Sequence, residues 1–365
     1  MIKKIILLSI LSLYSINLYN YPTKMIISQV ITDLRETPYK APAHVTLPAS
    51  PYDNPLQTSQ LLLGEYVLAE EEFTNEHGET WLKVQALQQK HFSEATGWQG
   101  YPGWIQKDHA IEVSHFPVYN LVVKNLLVPI FDEQNIQLCK LSIGTRLQGT
   151  LNEQTGYWNI ILPENTHALI HDKDVHEMFV DWDMDESWLR AEIVKTAKQF
   201  LGCDYSWGGR SAQTDQVHIS SSDCSATVHL SYLAHGLQIP RMSHEIFLAG
   251  QEVDKGKDLQ PGDLIFFSAI PELRRANLPH IDHIMMYIGD DMMLESTMAG
   301  DRNIRIISCK ERLGVSIYDM TSGDISDSPG YKKYVYFASY LHDTNLMMHL
   351  QENALRHNTR LANTN

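Results

Sequence analysis

A structural plan written twice in the first half of the chain constrains the fold more than any other feature. Gly64–Val67, Trp81–Val84 and Gly103–Asp108 recur as Gly144–Leu147, Trp158–Ile161 and Ala168–Asp172. Short apolar runs separated by polar turn residues, without a helical period, fold as strands and close into small β-barrels. Residues 25–113 and 114–177 are therefore predicted to be two such units. Strands are expected at Lys24–Ile27, Tyr66–Leu68, Trp81–Val84 and Gly103–Ile105 in the first.

The second half changes period. After a linker, Phe179–Asp185, the run Asp185-Glu186-Ser187 caps a predicted helix over Trp188–Leu201, with Leu189, Ile193, Ala197, Phe200 and Leu201 on one face. Ser222 and Asp223 supply caps for a second helix that runs on through Thr227 and stops at Gly236. Strands follow at 264–267, 283–288, 292–297, 304–307 and 334–339. Helices first and consecutive strands afterwards imply an antiparallel sheet and an α+β domain over 184–341. In the tail, 342–365, one helix is expected over Asn345–Arg356 before a polar end.

A net charge of −15 over 365 residues argues against a nucleic-acid partner, which demands basic patches. Lys3-Lys4 followed by the apolar run Ile5–Leu18 is too short for a comfortable membrane span and suits a secretory signal within residues 1–20. The competing reading is a buried N-terminal strand, and whether a signal here is cleaved or kept as an anchor is open at this level. The four cysteines, Cys139, Cys203, Cys224 and Cys309, are too few and scattered for a disulfide framework, and no C-x-x-C spacing occurs. Cys139 and Cys309 sit in apolar, strand-like surroundings and read as core. Cys203 is near enough to Cys224 in sequence to leave a pairing open.

Cys224 occupies the first turn of the second predicted helix. Unpaired backbone N–H groups and the helix dipole favour negative charge there, lowering a thiol from its usual pKa of about 8.5 and populating the thiolate. Asp282-His283 opens an apolar strand downstream and offers a base. If Gly289-Asp290-Asp291 is a three-residue hairpin loop, Ile288 pairs with Met292. His283 then faces Thr297, and Glu295 is its diagonal neighbour on the same face. A two-residue turn would put them on opposite faces. In the first case the Glu295 carboxylate accepts the Nδ1–H of His283 and orients the ring.

Five ordered motifs surround these residues: Tyr205-Ser206-Trp207-Gly208-Gly209, Asp223-Cys224-Ser225-Ala226, Pro240-Arg241, Pro261-Gly262-Asp263-Leu264-Ile265-Phe266-Phe267, and the His283 strand. In this order the chain, from about Met184 to Tyr340, resembles the NlpC/p60 family of cell-wall cysteine peptidases. The resemblance implies a papain-like catalytic domain, with Cys224 as nucleophile, His283 as base and Glu295 at the third position, where the family usually has histidine. The two leading units resemble bacterial SH3-like domains, which commonly precede this catalytic domain. A subgroup with that layout cuts muropeptides between D-γ-glutamate and the diamino acid, with a free N-terminal L-alanine. Carried over residue by residue, Tyr205 and Asp223 match positions that contact the substrate's amino end, and Ser225 matches one that helps seat the peptide. Tyr101 resembles the tyrosine that the first SH3-like domain contributes to the site, and Arg241 and Ser243 belong to the neighbouring Pro-Arg motif. Met242 stands where the subgroup has aspartate, which puts the free-N-terminus requirement in doubt, and Asp223 could equally be only the helix cap.

The resemblance implies a peptidase with a peptidoglycan or muropeptide substrate and no metal or organic cofactor, and the apolar leader implies export. Oligomeric state is open. Arg274 and Arg275, in the loop from Ala269 to Asp282, are candidates for a substrate carboxylate or simply a solvated basic turn. A metal hydrolase built from His229, His235, His280 and His283 is disfavoured, since His229 and His235 miss a common helix face. The competing class is a wall-binding protein with a weak or inactive peptidase domain.

Overall fold

The computed structural model describes residues 16–39, 56–93, 97–178, 185–212, 221–269, 281–328 and 332–342. Arg274, Arg275, His280, residues 1–15 of the leader and the tail helix expected at Asn345–Arg356 lie outside them, as does most of the linker. No helix among the described residues is long and apolar enough to cross a membrane.

The first sheet contains β1 (Ile16–Ile27), β2 (Ile31–Arg35), β3 (Gln57–Leu62), β4 (Tyr66–Thr74), β5 (Thr80–Ser93), β6 (Gly97–Gln106) and β7 (Ala110–Glu112). The second contains β8 (Leu121–Val123), β9 (Leu127–Phe131), β10 (Gln137–Ser142), β11 (Arg146–Asn152), β12 (Tyr157–Ile161), β13 (His167–His171) and β14 (Val175–Glu177). Their spatial orders are β3-β2-β6-β5-β4-β1-β7 and β10-β9-β13-β12-β11-β8-β14. The second is the first with seven added to every strand, so the sequence repeat is a topological repeat. A 3-10 turn precedes the last strand in both, at Lys107–His109 and Asp172–Asp174. The first unit starts earlier than residue 25, since β1 already pairs with β4 from Ile16.

The third body has helices α1 (Glu186–Lys198), α2 (Cys224–Leu233) and α3 (Ser243–Ala249). Its strands are β15 (Gln251–Glu252), β16 (Leu264–Ser268), β17 (Ile281–Gly289), β18 (Met292–Ser296), β19 (Ile304–Ser308) and β20 (Tyr334–Ser339), with α4 (Cys309–Leu313) after β19. The sheet is antiparallel, in the order β15-β20-β16-β17-β18-β19. One face packs under the helices: Leu189, Ile193, Ala197 and Phe200 of the α1 segment share a core with Val228, Leu230 and Tyr232 of α2 and with Phe266, Ile284 and Leu294. Leu201 departs from the expectation, because the helix ends at Lys198 and the side chain turns out to solvent, 40% exposed. α2 closes as the glycine stop implies. Leu237 N donates to Tyr232 O and Gly236 N to Leu233 O, with Gly236 at φ +77°, a conformation that spares a residue without Cβ any clash.

Buried polar contacts tie this body to the first sheet. Arg210 Nη2 pairs with Glu65 Oε1 at 2.8 Å, Arg241 Nε donates to Ser59 Oγ at 2.9 Å, and Gln238 Nε2 donates to the Gln88 carbonyl at 2.8 Å. Gly208, at φ +66°, lies where a Cβ would come within 2.7 Å of the Gln57 carbonyl. The glycine lets the 205–209 loop press against β3.

Candidate active site

Cys224 is the first residue of α2. Asp223 caps the helix: its Oδ1 accepts from Ala226 N at 2.8 Å. The same carboxylate is gripped by Arg241, with Nη1 on Oδ1 at 3.1 Å and Nη2 on Oδ2 at 2.8 Å. Ser225 Oγ donates to Oδ1 at 3.1 Å and accepts from Arg241 Nη1 at 2.8 Å. Asp223, Ser225 and Arg241 thus form a closed network beneath the thiol. The Asp223 charge is already balanced by a fully buried guanidinium, so the cap reading describes it better than a ligand for a substrate ammonium.

His283 lies on β17 and Glu295 on β18. The expected register is present, reached by another route. Gly289 pairs with Met292, leaving a two-residue turn of Asp290 and Asp291, both at positive φ, as a type I′ turn requires. A bulge between Tyr287 and Gly289 then inserts one residue, so that Tyr287 faces Met293 and Met286 faces Leu294. The bulge cancels the slip that a two-residue turn alone would have caused.

His283 Nε2 lies 3.2 Å from Glu295 Oε2. This corrects the expectation of an Nδ1 contact. With Nε2 turned to the carboxylate, Nδ1 is the nitrogen left for the Cys224 thiol, which lines the same cavity as the ring. Burial disfavours an imidazolium, but hydrogen bonds and charge from Cys224 and Glu295 outweigh it and push His283 up to about 9. Glu295 is buried rather than an exposed strand carboxylate. Burial would raise its pKa; the His283 hydrogen bond, the Arg312 charge and the Arg305 hydrogen bonds instead hold it down at about 2.

Cys224 and His283 open into one cavity of about 410 Å³, lined also by Tyr205, Trp207, Asp282, Thr297, Met298, Ala299 and Arg312. Trp207 and Met298 are about half exposed and form apolar walls. Tyr101 reaches toward this body from the first sheet, but its hydroxyl meets Met242 Sδ at 3.3 Å, and neither residue lines the cavity. Ser243 also stands outside it, with its hydroxyl on the Ile281 carbonyl at 3.3 Å. Two histidines considered as metal ligands serve the fold. His229 bridges Arg210 and the Pro240 carbonyl, and His235 bonds Thr196 Oγ1. All four cysteines are free, so Cys203 does not pair with Cys224. Cys309 is buried as expected but begins α4 rather than lying in a strand.

A family model described as NlpC/P60 family matches residues 202–325. Those residues form an NlpC/P60 domain. The chain is 29% identical over 289 residues to a gamma-D-glutamyl-L-lysine dipeptidyl-peptidase of Bacillus cereus, covering 77% of this chain and 76% of that one. It is 27% identical over 266 residues to the protein of the same name in Bacillus subtilis, covering 72% and 78%. A crystal structure of an NlpC/P60 family protein from Bacillus cereus superposes with a TM-score of 0.64 at 24% identity, covering 87% of this chain and all of the other. The likeness in fold therefore extends beyond the NlpC/P60 domain into the sheets that precede it.

Sequence reasoning missed Arg305 and Arg312, which hold Glu295 inside the NlpC/P60 domain. Arg305 is the cross-strand partner of Glu295. Carrying the hairpin register one strand further would have found it. Arg312 comes from α4, which carries no comparable signal.

Proposed function

We propose that this chain is a cysteine peptidase that hydrolyses peptidoglycan stem peptides or muropeptides between D-γ-glutamate and the diamino acid. The observation that carries the reading is one cavity holding Cys224 at a helix start and His283 with its ring fixed by Glu295. In this reaction the Cys224 sulfur, as thiolate, attacks the scissile carbonyl carbon, and electron density moves onto the carbonyl oxygen. Collapse of that intermediate expels the amine, which takes its proton from the His283 imidazolium, and leaves a thioester on Cys224. His283, now neutral, takes a proton from water as the water attacks the thioester carbonyl. Collapse of that second adduct breaks the C–S bond, releases the peptide acid and returns Cys224 as thiolate beside the His283 imidazolium. Glu295 holds the ring and stabilises its cationic form.

The two seven-stranded units, the first beginning with β1 and the second ending with β14, serve in this reading as SH3-like domains, and 184–341 as the catalytic domain. Tyr205 walls the substrate's amino end, while Tyr101 and Ser243 stand behind it. Met242 against the Tyr101 hydroxyl places a thioether where an acidic side chain would grip an ammonium, and the Asp223 charge is taken by Arg241. A strict demand for a free N-terminal amine is accordingly relaxed. Peptidoglycan lies outside the cytoplasmic membrane, and the apolar leader is the feature that accounts for export.

Incubation with L-Ala-γ-D-Glu-diaminopimelate tripeptide, beside C224A, tests this. Release of L-Ala-D-Glu by the native protein alone is the expected result. Equal product from both proteins, or none from either, overturns the reading and leaves wall binding as the alternative.

A further inference from the structure

Glu295 collects more counter-charge than one histidine supplies. Its Oε2 meets His283 Nε2 at 3.2 Å and Arg312 Nε at 3.0 Å, while Oε1 accepts from Arg305 Nε at 3.1 Å and Nη2 at 2.7 Å. The facing charges are thus His283 from β17, Arg305 from β19 and Arg312 from α4, with Cys224 of α2 on the other side of the ring. The Arg312 guanidinium lies 4.8 Å from the centroid of the Phe267 ring. Phe267 is in turn the cross-strand partner of His283, with their ring centroids 6.0 Å apart. Imidazole, phenyl ring and guanidinium follow one another, and the carboxylate closes the circuit.

We propose that Arg312 and Arg305 are positioning residues for the reacting pair, fixing the Glu295 carboxylate as an anion turned with Oε2 on His283, so that the ring stays aimed at Cys224. The proposal rests on the reading of Cys224 and His283 as nucleophile and base. A carboxyl buried here without its arginines favours the protonated form. Protonated, it no longer stabilises an imidazolium, and the thiolate loses its partner.

The test compares native protein with R312M, R312K, R305M, R305M/R312M, E295Q and E295Q/R312M. Two measurements are made across pH: kcat and KM on the tripeptide, and the rate of Cys224 alkylation by iodoacetamide, with C224A as blank. R312M is expected to lower kcat about tenfold with KM changed less than about twofold. The acid limb of both profiles should move up by about one pH unit. R312K recovers part of the loss, R305M/R312M moves the limb further, and in E295Q the R312M change costs less than about twofold. An acid limb that stays in place in R312M and R305M/R312M, or an equal penalty with and without Glu295, overturns the proposal. Should R312M fail to fold, R312K and R305M decide by the same limb. Failure of the underlying reading shows separately, as hydrolysis that survives C224A; the alkylation profile still reports on the clamp.

Discussion

Cys224 and His283 each stand beside a carboxylate gripped by arginine, but the two grips are anchored in different parts of the molecule. On the side of Cys224, the proposed nucleophile, Arg241 holds Asp223 and then reaches out of the NlpC/P60 domain to Ser59 on β3 of the first sheet. On the side of His283, the proposed base, Arg305 and Arg312 hold Glu295 from β19 and α4, within the domain. The cap that shapes the start of α2 therefore leans on a separate body, whereas the ring is aimed by local sheet geometry. Damage to the first sheet should reach the thiol before it reaches the imidazole.

The largest expected effect sets the reference for that comparison. C224A should lower hydrolysis by more than about a thousandfold while leaving the thermal unfolding midpoint nearly unchanged, since the side chain is small and opens into the cavity. A residual rate near that of the native protein, measured on the tripeptide, would remove the nucleophile from the comparison altogether.

R241M strikes the nucleophile side. It leaves the Asp223 carboxylate without its counter-charge beneath α2 and should cost about 3 kcal/mol of stability, read by urea unfolding, together with most of the activity. E295Q strikes the base side and should cost a similar amount, about 3 kcal/mol by linkage, and its cost should depend on pH in a defined way. Glu295 is held below its ordinary 4.5, so its contribution is present above pH 4.5 and fades as pH falls toward about 2. His283 is raised above its ordinary 6.5, so its contribution is complete below 6.5 and is lost as pH rises through about 9. The stability gap between native protein and E295Q should thus be widest between pH 4.5 and 6.5 and narrow on both sides. A gap that does not vary with pH would mean that Glu295 acts by packing alone.

The base side was largely legible in the sequence because sheet geometry is periodic. Strands 283–288 and 292–297 and the pairing of His283 with the Glu295 face follow from alternation, and the structure keeps that register although turn and bulge share the work differently. The repeat of the first half carried through to the order of all seven strands. The nucleophile side was legible only in part. Asp223 and Cys224 announce a capped helix, but nothing near them says that Arg241 will look to Ser59, a contact across 182 residues. Arg312 was hidden for a similar reason: a short helix after β19 has no period long enough to set its face. Long-range polar contacts depend on how bodies dock, and local pattern does not encode docking.

Ser59 offers the mildest way to sharpen the comparison. Its hydroxyl accepts from Arg241 Nε at 2.9 Å and donates to Gln89 Oε1 at 2.6 Å, both buried. S59A removes one atom, leaving Arg241 Nε and Gln89 Oε1 each short of a partner, and should cost about 1–2 kcal/mol. The two Arg241 bonds to Asp223 stay in place, so kcat on the tripeptide should remain within about twofold at temperatures below the unfolding transition. Combined with R241M, the same change should add little, because the group that Ser59 serves is gone. Additive losses in the double variant would show that Ser59 stabilises the first sheet by itself and that the nucleophile does not lean on it.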